Sequence, residues 1–269
     1  MACKKWYTMT HRRSMVSVFT HWRMLGLVAL VLLAGCASHK AGKEEMLQAG
    51  PETLYQQAMK ALRSYDYSRA VEQLNALEAR YPFGMHAQFA QLNLIYANYR
   101  LGEREAALAA AERFIKEHPR SPYLPYAHYM KGVVRFDDAV GYVERNAPRF
   151  LGLEGTKRDP TPVMESFAAF QELLQRFPST EYTDDALLRM QFLKNRLAEH
   201  DLAIARYYFE RGAYVAVTRR ASEIVQLYQG TPPAIHALAL MAEAYRKMGM
   251  TKAEREARAI LMASGFKGS

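Results

Sequence analysis

The chain has 269 residues, half of them apolar and 23% charged, which is enough to bury a sizeable core and unlike a disordered tail. Its net charge of +9 invites a nucleic-acid reading, but residues 1–35 hold five basic side chains and no acid. The rest keeps 31 of the 36 basic residues against 27 acids, an ordinary +4 surface that argues against nucleic acid. The two cysteines, Cys3 and Cys36, leave no other pair for a disulfide scaffold or a cysteine-based zinc module.

Residues 24–34 read MLGLVALVLLA. A bilayer-spanning helix needs about 20 apolar residues, so this run is too short to be one. Arginines precede it and Leu33-Ala34-Gly35-Cys36 follows, the layout of a secretory signal closed by what resembles a bacterial lipobox. The alternative is a short uncleaved anchor with a chance cysteine. On the lipobox reading, residues 1–35 are the signal, with Met9 and Met15 as alternative starts, and Cys36 carries covalent lipid, the only non-protein group implied. Two or more acyl chains anchor stably where one holds marginally. Ala37, not Asp, follows the cysteine, which by resemblance to bacterial lipoproteins favours the outer membrane. Residues 36–50 then form the acylated cysteine and a polar tether, with a span on the order of 20 Å.

From Pro51 onward, apolar residues recur at helical spacing and no convincing period-2 strand occurs. One helix runs to about Ser64 and a second ends at Tyr81-Pro82. The next pair turns at Gly102 and ends at Pro119. Aligning the prolines matches Ala70 with Ala107, Leu74 with Ala111 and Leu77 with Phe114. Helix–turn–helix units of this kind, about 34 residues long, are a tetratricopeptide (TPR) pattern. A helix opening at Ser121-Pro122 pairs with one from Asp159-Pro160 to Phe177-Pro178, across an insertion near 138–158. A long helix spans about Tyr182 to Arg211, and Gly212 turns it into the next. The last pair starts at Thr231-Pro232, turns at Gly249 and resumes with Thr251-x-x-Glu254, read as a capping box. The fold class is all-α, a TPR superhelix of about five repeats: 51–180 holds repeats 1–3 and 181–269 repeats 4–5.

No chemistry surfaces along this array. No two of the eight histidines stand at the i, i+4 spacing of a zinc-binding helix, and no nucleophile elbow or phosphate loop occurs. Asp137-Asp138 and Asp184-Asp185 read as solvated helix ends or caps. Glu210 lacks a visible partner carboxylate, so it makes a poor glycosidase acid. The chain reads as no enzyme.

The first helix of each TPR pair lines the groove. That places Tyr55, Met59 and Arg63 there in the first unit, Leu92, Tyr96, Tyr99 and Arg100 in the second, and Tyr129 and Val133 in the third. Tyrosine gives large contact area at low entropy cost, so Tyr55, Tyr96 and Tyr99 with Arg63 and Arg100 are the candidate peptide groove; packing between helices is the competing role. Arg219, Arg220 and Tyr214, after Gly212, are the candidate partner contact of the C-terminal repeats, where the arginines can pair with a partner's carboxylate. A solvated basic face is the alternative.

Several motifs then stand in order: the box at Cys36, Tyr81-Pro82-Phe83-Gly84, Arg158-Asp159-Pro160, Phe192-Leu193-Lys194-x-Arg196-Leu197-Ala198 and Tyr207-Tyr208-x-Glu210-Arg211-Gly212-Ala213. Together they resemble the BamD (ComL) family, the TPR lipoproteins of the outer-membrane β-barrel assembly machine, from the lipobox to about Leu261. The resemblance implies a non-enzymatic factor held in the outer membrane by its lipid and facing the periplasm. It implies contact with the periplasmic domains of the barrel-forming subunit through the C-terminal repeats, with Arg220 at the subunit-facing position. It also implies other lipoprotein subunits as partners, unfolded outer-membrane proteins at the N-terminal repeats, and no nucleic acid. A pilotin-like TPR lipoprotein escorting a secretin and a peptidoglycan-associated lipoprotein are the alternatives.

Overall fold

The computed structural model describes residues 49–141 and 159–264, and among these the secondary structure is entirely helical. The helices are α1 (Pro51–Arg63), α2 (Tyr67–Arg80), α3 (Met85–Leu101), α4 (Arg104–Glu117), α5 (Leu124–Val140), α6 (Thr161–Arg176), α7 (Thr183–Glu210), α8 (Tyr214–Leu227), α9 (Pro232–Lys247) and α10 (Thr251–Ala263). Taken in order they form the five expected pairs. Residues 1–48, with Cys36 and the signal, and residues 142–158 of the insertion lie outside the described residues. The chain divides into two compact units, up to Ala87 and from Gln88 onward.

Two small motifs recur among the pairs. Four turns within pairs use one residue of positive φ, at Tyr65, Gly102, Gly212 and Gly249. In each, its N–H and the next one reach back to carbonyls three and five residues earlier, as in Gly102 to Tyr99 and Glu103 to Asn98. This is the Schellman arrangement, which satisfies the orphan carbonyls of a helix end. Glycine suits its left-handed position because it has no Cβ; the first turn places Tyr65 there at φ 62°. The second motif is a buried triplet at i, i+4 and i+7 on the second helix of a pair. It recurs as Ala70/Leu74/Leu77, Ala107/Ala111/Phe114, Ser166/Phe170/Leu173 and Val217/Ala221/Ile224. Each third member accepts the N–H of the residue that ends the helix: Tyr81, His118, Phe177 or Tyr228. The alignment of the first two triplets read from sequence is therefore their true equivalence. Where no insertion intervenes the step is 37 residues, a little over 34: Tyr65 to Gly102 and Gly212 to Gly249 are both 37 apart.

Three helix boundaries differ from the sequence reading. Helix α5 opens at Leu124 with Pro125 in its first turn, because Ser121 is consumed in a turn: its N–H donates to the His118 carbonyl and its Oγ accepts from Tyr123 N–H. The insertion begins after Gly141, since 138–140 form the last turn of α5. Thr251-x-x-Glu254 is not a capping box: Thr251 already lies inside α10, and Glu254 accepts from Arg258 at 2.9 Å. Thr231 does cap α9, its hydroxyl accepting from Ala234 N–H.

In the C-terminal unit one core joins α5, α6 and α7 through Val133, Phe170, Leu173, Ala186 and Leu193. A second joins α7, α8 and α9 through Leu202, Ala205, Ala221, Ile224, Ala234 and Ala237. A close approach falls at Gly132 of α5, where a Cβ would sit 2.5 Å from the Phe170 ring and where Ser166 Oγ donates to the Gly132 carbonyl at 3.2 Å. Small residues at such crossings let helices approach tightly enough to interlock.

Candidate functional site

Of the residues proposed for a peptide groove, Tyr96 and Arg100 come together on α3. One turn apart, they meet where the Arg100 guanidinium donates to Tyr96 Oη at 2.8 Å and lies 5.7 Å from its ring centroid. Arg100 is exposed and Tyr96 half-buried, so the pair offers water a cation over an aromatic face. Tyr99, on the next face, donates to Asp137 of α5 at 2.9 Å and packs against Ala107, Leu108 and Val134. In the N-terminal unit, Tyr55 is half-buried with its ring 5.6 Å from His86, and Arg63 is exposed in the last turn of α1. Leu92 and Val133, also read as groove-lining, are buried in the core because α3 and α5 are covered on those sides.

Tyr129 belongs to a network the sequence did not reveal. Its hydroxyl donates to Asp185 of α7 at 2.8 Å, and its ring stacks on Tyr182 at 4.7 Å. Arg189, one turn beyond Asp185, donates to the same carboxylate at 2.5 Å and covers the Phe136 ring at 4.8 Å. Burial raises the Tyr129 phenol to about 12, helped by the Asp185 bond. Burial alone would push Asp185 up, but the bonds from Arg189 and Tyr129 outweigh it and hold the carboxyl low. Asp184 is an exposed acid in the first turn of α7, as expected, but the other three do more than end a helix. Asp137, Asp138 and Asp185 tie helices together, Asp138 through Arg104 at 2.9 Å. The Asp185–Arg189 spacing was the one signal available in sequence; the Tyr129 bond crosses 56 residues and left none.

In the C-terminal repeats, Arg219 and Arg220 flank Glu223 on α8 at 3.4 and 3.7 Å. Their side chains are 84% and 45% exposed, and exposed pairs at such distances contribute only about 0–1 kcal/mol. A partner carboxylate can therefore redirect either arginine at small cost. Tyr214, at the start of α8, sets its ring edge against Phe209 at 5.4 Å. Nearby, Arg211 lies 4.4 Å over the half-exposed Tyr207 ring. Among the described residues no group of three or more metal-ligating side chains clusters. No helix among them is long and apolar enough to cross a membrane.

Known proteins match this chain over most of its length. A family model for YfiO, an outer membrane lipoprotein, covers residues 48–260. An outer membrane protein assembly factor BamD from Vibrio cholerae is 39% identical over 229 residues, 85% of this chain and 92% of its own. The protein of the same description from Neisseria meningitidis serogroup A is 39% identical over 78% of this chain and 77% of its own. The one from Haemophilus influenzae is 34% identical over 90% and 88%.

Proposed function

This chain belongs to the YfiO/BamD family and acts in outer-membrane protein assembly, and we propose that it does so as a lipid-anchored scaffold rather than an enzyme. The observation that carries this reading is the span of the similarity, which runs across all five helix pairs and not one of them alone. A helical-repeat array of this kind stacks without needing a ligand and works by offering surface. In this reading Cys36 holds the chain to the periplasmic face of the outer membrane. The C-terminal repeats meet the periplasmic domains of the barrel-forming subunit, with Arg219, Arg220 and Tyr214 at the contact. The weakly held arginines of α8 support this. Unfolded barrel proteins are received at the N-terminal repeats, with the Arg100–Tyr96 pair meeting a carboxylate-terminated, aromatic-rich strand. Other lipoprotein subunits complete the assembly.

Co-purification from detergent-solubilised envelopes tests the reading. The barrel-forming subunit is expected to come with the tagged chain and to be lost from an Arg219→Ala/Arg220→Ala variant. Recovery of the chain without that subunit at any detergent concentration refutes the scaffold role. Release of muropeptides by the purified chain refutes the non-enzymatic part.

A further inference from the structure

We propose that the α2–α3 loop, through Phe83 and Met85, docks onto the surface of the bilayer that carries the acyl anchor. This rests on the reading of Cys36 as lipidated. The loop runs Tyr81-Pro82-Phe83-Gly84 before α3 starts at Met85. Its tip carries the most exposed large apolar side chain among the described residues: Phe83 is 91% exposed and Met85 is 65% exposed. The turn at Gly84 takes φ +103°, a conformation that favours glycine, and a Cβ placed there would meet nothing within 4 Å. A ring so presented adds little packing to the fold, and Phe and other apolar side chains turned toward a bilayer bury into its headgroup–acyl boundary.

The occupant follows from where the chain enters the fold. Tyr81 Oη donates to the Ala49 carbonyl at 3.3 Å, so the first described residue is tied to this same loop. Phe83 lies two residues from that tie. Thirteen peptide links separate Cys36 from Ala49, a reach of at most about 45 Å by covalent geometry. The chain that leads from Cys36 therefore enters the described fold at Ala49, beside the α2–α3 loop. The opposite end of α1, with Tyr65 at the turn, lies a helix length away, roughly 20 Å for 13 residues. Acyl chains hold the protein on the bilayer; one ring and a thioether fix which end of the N-terminal unit faces it.

The sequence supplies its own probe. Trp6 and Trp22 are the only tryptophans and both precede Cys36, so the mature chain has none. Full-length lipidated Phe83→Trp and Tyr65→Trp variants are reconstituted into phosphatidylethanolamine–phosphatidylglycerol vesicles, with and without bromine on the acyl chains. Both sites are exposed, and circular dichroism checks the fold. Phe83→Trp emission should shift to the blue in vesicles and be quenched by the brominated lipid, while Tyr65→Trp emission stays at its solution position and intensity. Flotation with the vesicles but no quenching at Phe83→Trp overturns the proposal and leaves the anchor intact. Equal quenching at both sites overturns it as well. A blue shift that appears only on adding a polypeptide partner, without bromine quenching, assigns the loop to protein and overturns it. Failure to float refutes the anchor itself, and the loop's address falls with it.

Discussion

Replacing Gly132 with alanine should destabilise the protein although it improves the helix. Gly132 lies inside α5, where alanine is favoured over glycine by about 1 kcal/mol. The added methyl would meet three atoms of the Phe170 ring, Cε1 at 2.5 Å, Cδ1 at 2.6 Å and Cζ at 2.9 Å. Phe170 is fully buried in the α5–α6–α7 core, and Ser166 ties the two helices at the same point, so the ring has little room to turn away. Overpacking of this kind costs about 1–3 kcal/mol, and three contacts below 3 Å place it at the upper end or beyond. Net of the helix gain, Gly132→Ala should lose about 2 kcal/mol. For a chain of this size that lowers the melting temperature by roughly 4–8 °C. Thermal unfolding measures the loss, and amide hydrogen exchange should locate it in α5 and α6. In a Phe170→Leu background the same alanine should cost less, with a coupling on the order of 1–2 kcal/mol. An unchanged or raised melting temperature, or an equal cost in both backgrounds, refutes the close-packing argument.

His128 is 1% exposed in the same helix pair; burial lowers its pKa, while Glu172 at 3.9 Å opposes the shift. A depressed folded value means stability is full above the unfolded pKa near 6.5 and falls as pH drops toward the folded one. Urea unfolding between pH 7.5 and 5 should show this loss, and His128→Leu should flatten it; identical profiles would refute the assignment. Cys36→Ala should leave the chain out of the outer-membrane fraction of a sucrose gradient, and normal fractionation would sink the lipobox reading. A peptide copied from a barrel protein's C-terminus should bind Tyr96→Ala/Arg100→Ala several-fold to tenfold or more weakly than wild type, since a charge-assisted hydrogen bond contributes about 1.5–3 kcal/mol, less where water screens it. Arg220→Ala should bind that peptide normally, because distant sites act independently. Wild-type affinity in the folded double variant would return Tyr96 to a packing role.

What the sequence carried alone was local. Helical periodicity, glycine turns and terminal prolines defined five pairs, and the alignment of Ala70, Leu74 and Leu77 with Ala107, Ala111 and Phe114 matched the buried triplets. These signals survive in one dimension because a helix turn, its cap and its buried stripe all lie within about seven residues. The family motifs were also legible, being short strings in order. The candidate site was only partly so. Tyr96 and Arg100 could be paired from their i, i+4 spacing, but nothing near Tyr99 or Tyr129 announced Asp137 or Asp185, 38 and 56 residues away. Leu92 and Val133 went to the groove on helical phase, whereas neighbouring helices bury them. Asp137 and Asp185 looked like solvated ends, because a carboxylate beside a helix terminus reads the same until a phenol arrives from another repeat. The fit of Gly132 against Phe170 was likewise invisible. Whether a glycine is a weak point or a required gap depends on what the next helix brings to it, and only the packed structure supplies that neighbour.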